Sequence, residues 1–485
     1  MKRVPTRREF TAAAAAVGMG GLFASDEPTG PQAASRQDAD YLVEPERRTK
    51  VRAHVDVVVC GGGPAGIGAA IAAARNGANT LLLENLGSLG GVGSNAIMNR
   101  LGPFHDQEKM IVGGIPMEIL ERLVALNGAI MPRPVIWTRA TNNRPEYWAP
   151  FDPEILKLVL DRMTEEAGVK ILFNTRVVGT VVNSGRTEGV LIESKSGREA
   201  VRAKIVIDAT GDGDVAAWAG APYEKGRPED GWMQPVTVLY KVHNLDREKA
   251  RRVLAEEREK IVGLARARGE DIPRFLTAGT DNFLRADETY YNEDQIHGAD
   301  GTNVEHVTKA WLDARKMIWQ EFHFAKKHVP GYENAYVALT SSLLGVRETR
   351  RILGEYVLNA EDVLSARKFP DTVCRYACYV DLHKVSRPGT QESALAQRIP
   401  KPGTSYGIPY RCLVPQKIEN LLVAGRCFSV THEALASTRP MPCCMAMGQA
   451  AGTAAAICAD RAIPPRKIDL AALRRSLIAQ GAYLG

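Results

Sequence analysis

The sequence predicts an α/β fold, in which a Rossmann-like domain carries an inserted α+β domain. Three observations lead to this prediction. An apolar strand at residues 55–60 runs directly into a glycine-rich turn and a helix of small residues. Two later strands, at residues 204–208 and 420–424, also end in glycine-containing loops. The long stretches between these units mix helix and strand patterns without any further nucleotide-binding pattern, which indicates an insertion.

Composition is that of an ordinary globular protein of two or three domains. The chain has 485 residues, of which 45% are hydrophobic and 24% charged. The net charge of +6 is not gathered into long basic runs, so a nucleic-acid partner is not expected. No membrane span is predicted, since no run of about 18 strongly apolar residues occurs. The eight cysteines are sparse and lack zinc spacing, so no metal site is predicted and most are expected to be buried.

Residues 1–35 carry the features of an export signal. The string Thr6-Arg7-Arg8-Glu9-Phe10 resembles the twin-arginine motif, and a mildly apolar, alanine-rich stretch follows it. Residues 36–53 are then a polar linker. This interpretation predicts a periplasmic or secreted protein, and the alternative is an alanine-rich N-terminus with two chance arginines.

The first strand–turn–helix unit has the form of a dinucleotide-binding fingerprint. Gly61 permits a tight turn, Gly63 lets backbone N–H groups approach a pyrophosphate, and Gly66 lets helix and strand pack closely. The helix N-terminus places its positive end at the phosphates. Glu84 follows the second strand, residues 80–83, at the distance where an acid can bind ribose hydroxyls.

Three further features favour FAD over NAD as the cofactor. A second glycine loop, residues 87–91, follows Glu84 and can wrap the diphosphate again. The strand at 204–208 runs into Ala209-Thr210-Gly211, and a late strand ends in Gly425-Arg426. A helix of small residues starts near Pro442, and its positive end would stabilise negative charge on a reduced flavin.

Electrons are expected to leave the flavin for an acceptor other than a nicotinamide, since no second strand–GxGxxG–helix unit follows. That acceptor, a quinone, a cytochrome or oxygen, is not identified by the sequence. No Cys-x4-Cys pair follows the second strand, so a flavin–disulfide reductase is not expected.

The chain resembles the FAD-dependent oxidoreductase family related to glutathione-reductase and succinate-dehydrogenase flavoproteins. The resemblance rests on GVRETRRILGEYVL at 345–358 and on SYGIPYRCLVP at 405–415 with NLLVAGRCFSVTHEALASTRPMPCCMAMGQAAGTAAA at 420–456. Pro440 departs from the valine expected there, which leaves the local backbone path open. The resemblance implies that Val177 touches the adenine through its backbone. The other predicted cofactor contacts are Gly61, Gly63, Pro64, Ala65, Gly66, Glu84, Asn85, Gly90, Gly91, Ala209, Thr210, Gly211, Asp212, Gly425, Arg426, Cys444, Met445 and Ala446.

The predicted domains alternate along the chain. The FAD-binding domain takes residues 54–94, 151–225 and 405–470, the substrate or cap domain takes 95–150 and 226–404, and 471–485 form a C-terminal helix.

Four residues are candidates for the chemistry itself. His432 and Glu433 lie between two predicted cofactor-contacting segments, so His432 is a candidate base or orienting group, although a hydrogen-bonded structural role is the alternative. Arg439 and Arg347 are candidates for binding substrate oxygens. For Arg347 and the arginines that follow it, ion pairing with nearby glutamates is an equal alternative.

The predicted function is that of an exported FAD enzyme. It oxidises a small organic substrate, a sugar or hydroxy compound, by hydride transfer to flavin N5. A fumarate-reductase-like reductase, a flavin monooxygenase and a non-catalytic flavin-binding subunit are the alternatives. Substrate, direction and oligomeric state stay open.

Overall fold

The computed structural model describes residues 44, 46–136, 145–253, 255–270, 284–292, 295–383, 395, 396 and 398–485; the predicted export signal lies outside them. The strands are β1 (Lys50–Cys60), β2 (Thr80–Leu83), β3 (Arg100–Leu101), β4 (Arg133–Ile136), β5 (Pro145–Pro150), β6 (Lys170–Leu172), β7 (Arg176–Asn183), β8 (Arg186–Ser194), β9 (Gly197–Asp208), β10 (Tyr223–Lys225), β11 (Tyr240–His243), β12 (Glu288–Tyr291), β13 (Tyr336–Thr340), β14 (Arg350–Ile352), β15 (Thr372–Tyr376), β16 (Tyr406–Pro409) and β17 (Leu421–Val423). The helices are α1 (Pro64–Arg75), α2 (Ile115–Ala125), α3 (Pro153–Glu166), α4 (Asp214–Trp218), α5 (Arg247–Arg251), α6 (Ala255–Ala267), α7 (Val304–His328), α8 (Ala360–Leu364), α9 (His432–Thr438), α10 (Met441–Arg461) and α11 (Leu470–Ala479).

A seven-stranded sheet organises the predicted nucleotide-binding part. Its order is β6-β2-β1-β9-β8-β7, and β17 lies beside the last residues of β9. Strands β6, β2, β1, β9 and β17 run parallel, whereas β7 and β8 form an antiparallel extension from the first half of β9. The carboxyl ends of the parallel strands therefore meet at one edge, where ligands bind in open α/β sheets.

Helices α1 and α10 pack together unusually closely over this sheet, because glycines face backbone at their contact. A Cβ atom on Gly448 would lie 2.0 Å from the carbonyl oxygen of Ala65, and one on Gly452 would lie 2.1 Å from that of Ala69. On the other helix, a Cβ on Gly68 would lie 2.2 Å from the carbonyl oxygen of Met445. The small residues that the sequence shows in both helices are what this approach requires.

A second core lies in the inserted part. The antiparallel sheet β12-β11-β13 packs with α7, whose buried residues Ala310, Ala314, Ile318, Phe322 and Ala325 recur at helical spacing. The first turn of α7 is capped by the side chain of Asn303, which accepts hydrogen bonds from two backbone N–H groups.

Several sequence-based boundaries are corrected by the structure. The linker ends before Lys50, because β1 already pairs with β9 from that residue. The C-terminal helix, predicted at 471–485, is α11, which starts at Leu470 and ends at Ala479. Residues 358–382, assigned to the cap, contribute mainly to the larger core that α1 and α10 share. All eight cysteines are free and buried, as predicted for most of them.

One helix in the described part of the chain, α10, is long and apolar enough to cross a membrane by length and composition alone. Most of it, 89% of its most apolar window, is buried inside the protein. A core helix passes the same test, so this is weak evidence for a membrane span.

Candidate functional site

The glycine turn after β1 has the geometry that its predicted function requires. Gly61 has φ +104°, and a Cβ there would lie 2.6 Å from the carbonyl oxygen of Ala209. A Cβ on Gly66 would lie 1.7 Å from the carbonyl oxygen of Gly61. Both positions therefore exclude any side chain. Gly63 differs, since a Cβ there would meet no protein atom within 4 Å, and Pro64 and Ala65 open α1 directly behind it. The free backbone face of Gly63 and the helix N-terminus can approach a pyrophosphate.

The second glycine loop lies directly on the first. The Gly90 N–H donates to the carbonyl oxygen of Gly62 at 2.8 Å, and a Cβ on Gly91 would lie 2.9 Å from the Cα of Gly63. Gly91 has φ +51°, which favours glycine. The two loops together form the narrow backbone cradle that the sequence predicts.

Glu84 lies at the end of β2 with 7% of its surface exposed. Its carboxylate accepts hydrogen bonds from the backbone N–H groups of Gly62 and Leu86, both at 2.7 Å. Burial raises its pKa, and these backbone donors act in the opposite direction. Beside it, Asn85 is exposed, and Thr175 donates to the Glu84 carbonyl oxygen just before Val177 enters β7. Glu84 and Asn85 thus lie beside the segment that leads to Val177.

The loop after β9 is held by Asp208, which the sequence analysis did not single out. Its buried carboxylate accepts from the Thr210 hydroxyl at 2.7 Å and from the Ala216 N–H at 2.8 Å. Burial raises the pKa of Asp208 to about 6. Asp214 is the first residue of α4 and pairs with Arg350 at 2.7 Å.

Asp212 and Arg426 connect this loop to the end of β17. The Arg426 guanidinium donates to the Asp212 carboxylate at 2.7 Å, and it lies against Gly211. The hydroxyl of Thr349 bridges the same two side chains. Gly425 reaches the start of α1, where a Cβ on it would lie 2.8 Å from the Cβ of Ala65. The loops after β1, β9 and β17 thus converge.

Helix α10 starts at this edge of the sheet. The side chains of Cys444, Met445 and Ala446, its predicted cofactor contacts, differ from one another in burial and in their neighbours. The buried Cys444 thiol donates to the carbonyl oxygen of Arg439, and burial raises its pKa to about 12. Met445 is buried in the core, with its carbonyl oxygen turned to α1, while Ala446 is half-buried. The first turn, Met441 onwards, lies against Gly93 of the second glycine loop. The structure therefore brings the helix start, rather than the Met445 side chain, to the loops.

His432 belongs to a buried ion-pair cluster. Its Nδ1 lies 2.8 Å from a carboxylate oxygen of Glu348, and that carboxylate also pairs with Arg351. All three residues are at most 3% exposed. This is the hydrogen-bonded structural position that the alternative hypothesis for His432 describes. Glu433, the next residue, is half-buried.

Arg439 takes part in a second polar cluster with three residues that the sequence analysis missed. Arg439 donates to the Asp381 carboxylate at 2.6 Å, and Nε2 of His383 lies 3.5 Å from the same carboxylate. Gln295 bonds Nδ1 of His383 at 2.9 Å. Burial works to raise the pKa of Asp381, but the charges of His383 and Arg439 outweigh it and the pKa is lowered. Burial lowers the pKa of His383.

Two members of this second cluster are half-buried. Asp381 and His383 keep 27% and 22% of their side-chain surfaces accessible. Arg439 follows α9 directly and lies two residues before the first residue of α10. The only sequence signal was a histidine near an acid, Asp381-Leu382-His383, within a region without any motif.

Arg347 makes different contacts from Arg350 and Arg351, the two arginines that follow it in the same segment. Arg350 and Arg351 form ion pairs with Asp214 and Glu348. Arg347 is 5% exposed and donates to the carbonyl oxygen of Pro235 at 2.7 Å. Ion pairing therefore accounts for two of the three arginines, and Arg347 keeps its place as a candidate ligand for substrate oxygens.

Comparison with known proteins finds distant relatives. Digeranylgeranylglycerophospholipid reductase 1 from Methanococcoides burtonii is 29% identical over 174 residues, 34% of this chain and 40% of that protein. The same reductase from Methanocella arvoryzae is 26% identical over 35% of this chain and 43% of its own length. The chain thus matches less than half the length of these curated relatives. A solved structure, a geranylgeranyl bacteriochlorophyll reductase-like protein from Thermoplasma acidophilum, covers 88% of this chain and 82% of its own at 13% identity and a TM-score of 0.39.

The residues at the convergent edge fit FAD. The space beside Gly63 is free, the two glycine loops offer backbone N–H groups, and Glu84 is positioned where the adenosine ribose would lie. When bound, FAD supplies two-electron chemistry at its ring. The family model described as FAD dependent oxidoreductase matches residues 56–477. The chain therefore belongs to the FAD dependent oxidoreductase family, and it is an FAD-using enzyme.

Proposed function

We propose that this enzyme oxidises a small organic hydroxy compound, a hydroxy acid or a sugar, by hydride transfer to the flavin. The observation that carries the proposal is the half-buried polar cluster of Asp381, His383 and Arg439 near the start of α10. Removal of hydride from a carbinol carbon also releases the hydroxyl proton, so the site needs a base. The electrons then pass to an acceptor other than a nicotinamide.

His383, rather than His432, is the proposed base. Gln295 lies within hydrogen-bond distance of Nδ1, and Asp381 holds the other side of the ring. Burial lowers the pKa of His383, which keeps the imidazole neutral and able to accept a proton near pH 7. The burial of His432 against Glu348 supports a structural role for that histidine instead.

Reduction of purified enzyme tests the proposal. Holoenzyme mixed anaerobically with hydroxy acids and sugars should show bleaching of the oxidised flavin absorption. The H383Q variant should bind FAD normally but reduce it about 100-fold more slowly or worse. The exposed His323 provides the control, since H323Q should react at the wild-type rate. If no hydroxy compound reduces the flavin, the proposal fails.

The pH dependence follows from the base. Since only neutral His383 accepts a proton, the reduction rate should rise with pH through a pKa below the usual histidine value, and then level off. In H383Q this rising limb should disappear. An identical pH profile in both proteins would remove His383 from the reaction.

A second candidate runs in the reductive direction. Both curated relatives are named as reductases, which supports transfer of electrons from reduced flavin to an unsaturated substrate. Enzyme reduced with dithionite and freed of excess reagent should then be reoxidised anaerobically by an alkene substrate. Rapid reoxidation of this kind, together with no bleaching by hydroxy compounds, would favour the reductive function over the oxidative one.

We further propose that residues 1–35 direct export by the twin-arginine route. The support is the string Thr6-Arg7-Arg8-Glu9-Phe10 with the alanine-rich stretch behind it. That route carries folded proteins, which suits an enzyme that must receive FAD inside the cell. Replacement of Arg7 and Arg8 by lysine should leave flavin-loaded precursor inside the cell, as measured by fractionation. Unimpaired export of the double variant would contradict this proposal.

A further inference from the structure

Arg347 is a buried cation that lacks a carboxylate partner within the described part of the chain. Its guanidinium donates to the carbonyl oxygen of Pro235, and no described carboxylate oxygen lies within 4.0 Å of it. Arg350, Arg351 and Arg439 are all ion-paired. A desolvated cation without a counter-charge is costly, so its presence requires compensation from elsewhere.

Neighbouring positive charges increase the free-energy cost of keeping the Arg347 cation buried. Burial and the positive charges of Arg439 and Arg100 lower its pKa, which is about 9, while Asp381 acts in the opposite direction. At neutral pH Arg347 thus stays protonated. The Asp381 carboxylate does not neutralise Arg347 directly, since it pairs with Arg439 and lies 3.5 Å from His383.

A buried amide without hydrogen-bond partners among the described residues lies next to Pro235 in the chain. Gln234 precedes Pro235, the residue whose carbonyl oxygen Arg347 contacts, and the Gln234 side chain is completely buried. Neither its amide oxygen nor its amide nitrogen has a hydrogen-bond partner among the described residues. A buried amide normally has such partners, and a ligand can provide them. Gln234 is thus a second buried polar side chain that a ligand could satisfy, one residue from the carbonyl oxygen that Arg347 contacts.

We propose that Arg347 binds an anionic oxygen group of the substrate, a carboxylate or a phosphate, beside the polar cluster of Asp381, His383 and Arg439. The inference rests on the proposed function, because it names the substrate class of the same site. The planar fork of a guanidinium can donate two parallel hydrogen bonds to either group. The anion would anchor one end of the substrate, while its reacting end faces His383. Neutral sugars would lack this anchor.

Anion binding to the holoenzyme tests the inference without turnover. Malonate, a carboxylate that carries no hydroxyl, and inorganic phosphate are titrated separately, and the flavin difference spectrum and the thermal unfolding temperature are recorded. At least one anion should bind saturably, and the identity of that anion decides between carboxylate and phosphate. The R347M variant should weaken its binding by about 10- to 100-fold. Arg411, which pairs with Asp371 and is half-buried, provides the control, and R411M should bind as the wild type does.

The variants also show whether the protein still folds. R347M should keep its FAD and its unfolding temperature in the absence of anion, since it removes an uncompensated charge. If R347M fails to fold, R347K keeps the charge but loses the fork, and it should weaken binding several-fold. The inference is overturned if neither anion affects the wild type, or if the Arg347 variants bind with unchanged affinity. Arg347-dependent anion binding without flavin reduction by any hydroxy compound would instead refute the proposed function alone.

Discussion

At the scale of single residues, partner charges decide what the arginines of one short segment do. Arg351 is 1% exposed, pairs with the buried Glu348 and donates to the carbonyl oxygens of Val430 and Gly226. Arg347, four positions earlier, has none of these ionic contacts. The same residue type thus holds the fold at one position and is left available for a ligand at the other.

This difference predicts opposite effects on stability. R351M leaves the Glu348 carboxylate buried without its main counter-charge, so the free energy of unfolding should fall by about 3–5 kcal/mol. R347M is the same substitution at a similarly buried arginine, and it should leave the free energy of unfolding unchanged or raise it. Urea unfolding of both variants at one FAD concentration measures the comparison. Equal destabilisation would show that Arg347 is as well compensated as Arg351.

Asp208 predicts a pH dependence of stability. Burial raises the pKa of this carboxyl to about 6, so the folded state favours its protonated form. The stability that it contributes is present below the unfolded pKa near 4 and is lost as pH rises through about 6, a change of about 3 kcal/mol. The D208N variant has no charge to titrate. The difference in unfolding free energy between wild type and D208N should therefore change between pH 4 and pH 7, and parallel profiles would contradict the assignment.

At the scale of elements, the contact between α1 and α10 depends on missing side chains. A methyl group on Gly448 would meet the backbone of Ala65, which cannot move aside as a flexible side chain does. G448A should therefore destabilise the protein by about 1–3 kcal/mol. Gly263 in α6 is the control, because it is exposed and a Cβ there meets no atom within 4 Å.

The control should respond in the opposite direction. G263A is expected to raise the free energy of unfolding by up to about 1 kcal/mol, because alanine is the better helix former. Thermal and urea unfolding of the two variants measure the pair. If G448A is as stable as the wild type, the two helices are not held at the separation that the structure shows.

Elements with a local signal could be predicted, and those defined by distant contacts could not. Helix α7 carries its apolar repeat and its Asn303 cap within the sequence itself, and the turn from β1 into α1 carries its glycines. The strand at 50–53 is polar and exposed, so only its pairing with β9 reveals it. Residues 358–382 contain no pattern that tells which of two cores they join.

At the scale of the whole molecule, the site is assembled from segments that are far apart in the chain. The loops after β1, β2, β9 and β17 could be predicted from the sequence, since each follows an apolar strand pattern and contains a glycine. The polar cluster could not, because Gln295, Asp381 and Arg439 come from distant segments that meet only in three dimensions. Sequence reasoning therefore identified the cofactor and, of these three residues, only Arg439.

A substitution at Gly63 should change the binding of FAD without changing the folding of the protein. Gly63 has φ −73°, and a Cβ on it would meet no protein atom, so G63A should fold without strain. If that empty space is where the FAD pyrophosphate lies, the methyl group should weaken FAD binding at least about 10-fold. Added FAD should then raise the unfolding temperature of the wild type but not that of G63A at the same concentration.

Gly66 supplies the contrast for this last prediction. A Cβ there would lie 1.7 Å from the carbonyl oxygen of Gly61, so G66A should lower both apoprotein stability and FAD binding. Only G63A should lose FAD while its apoprotein unfolds at the wild-type temperature. Normal flavin content in G63A would place the pyrophosphate away from Gly63, and the arrangement of the two glycine loops around FAD would then have to be revised.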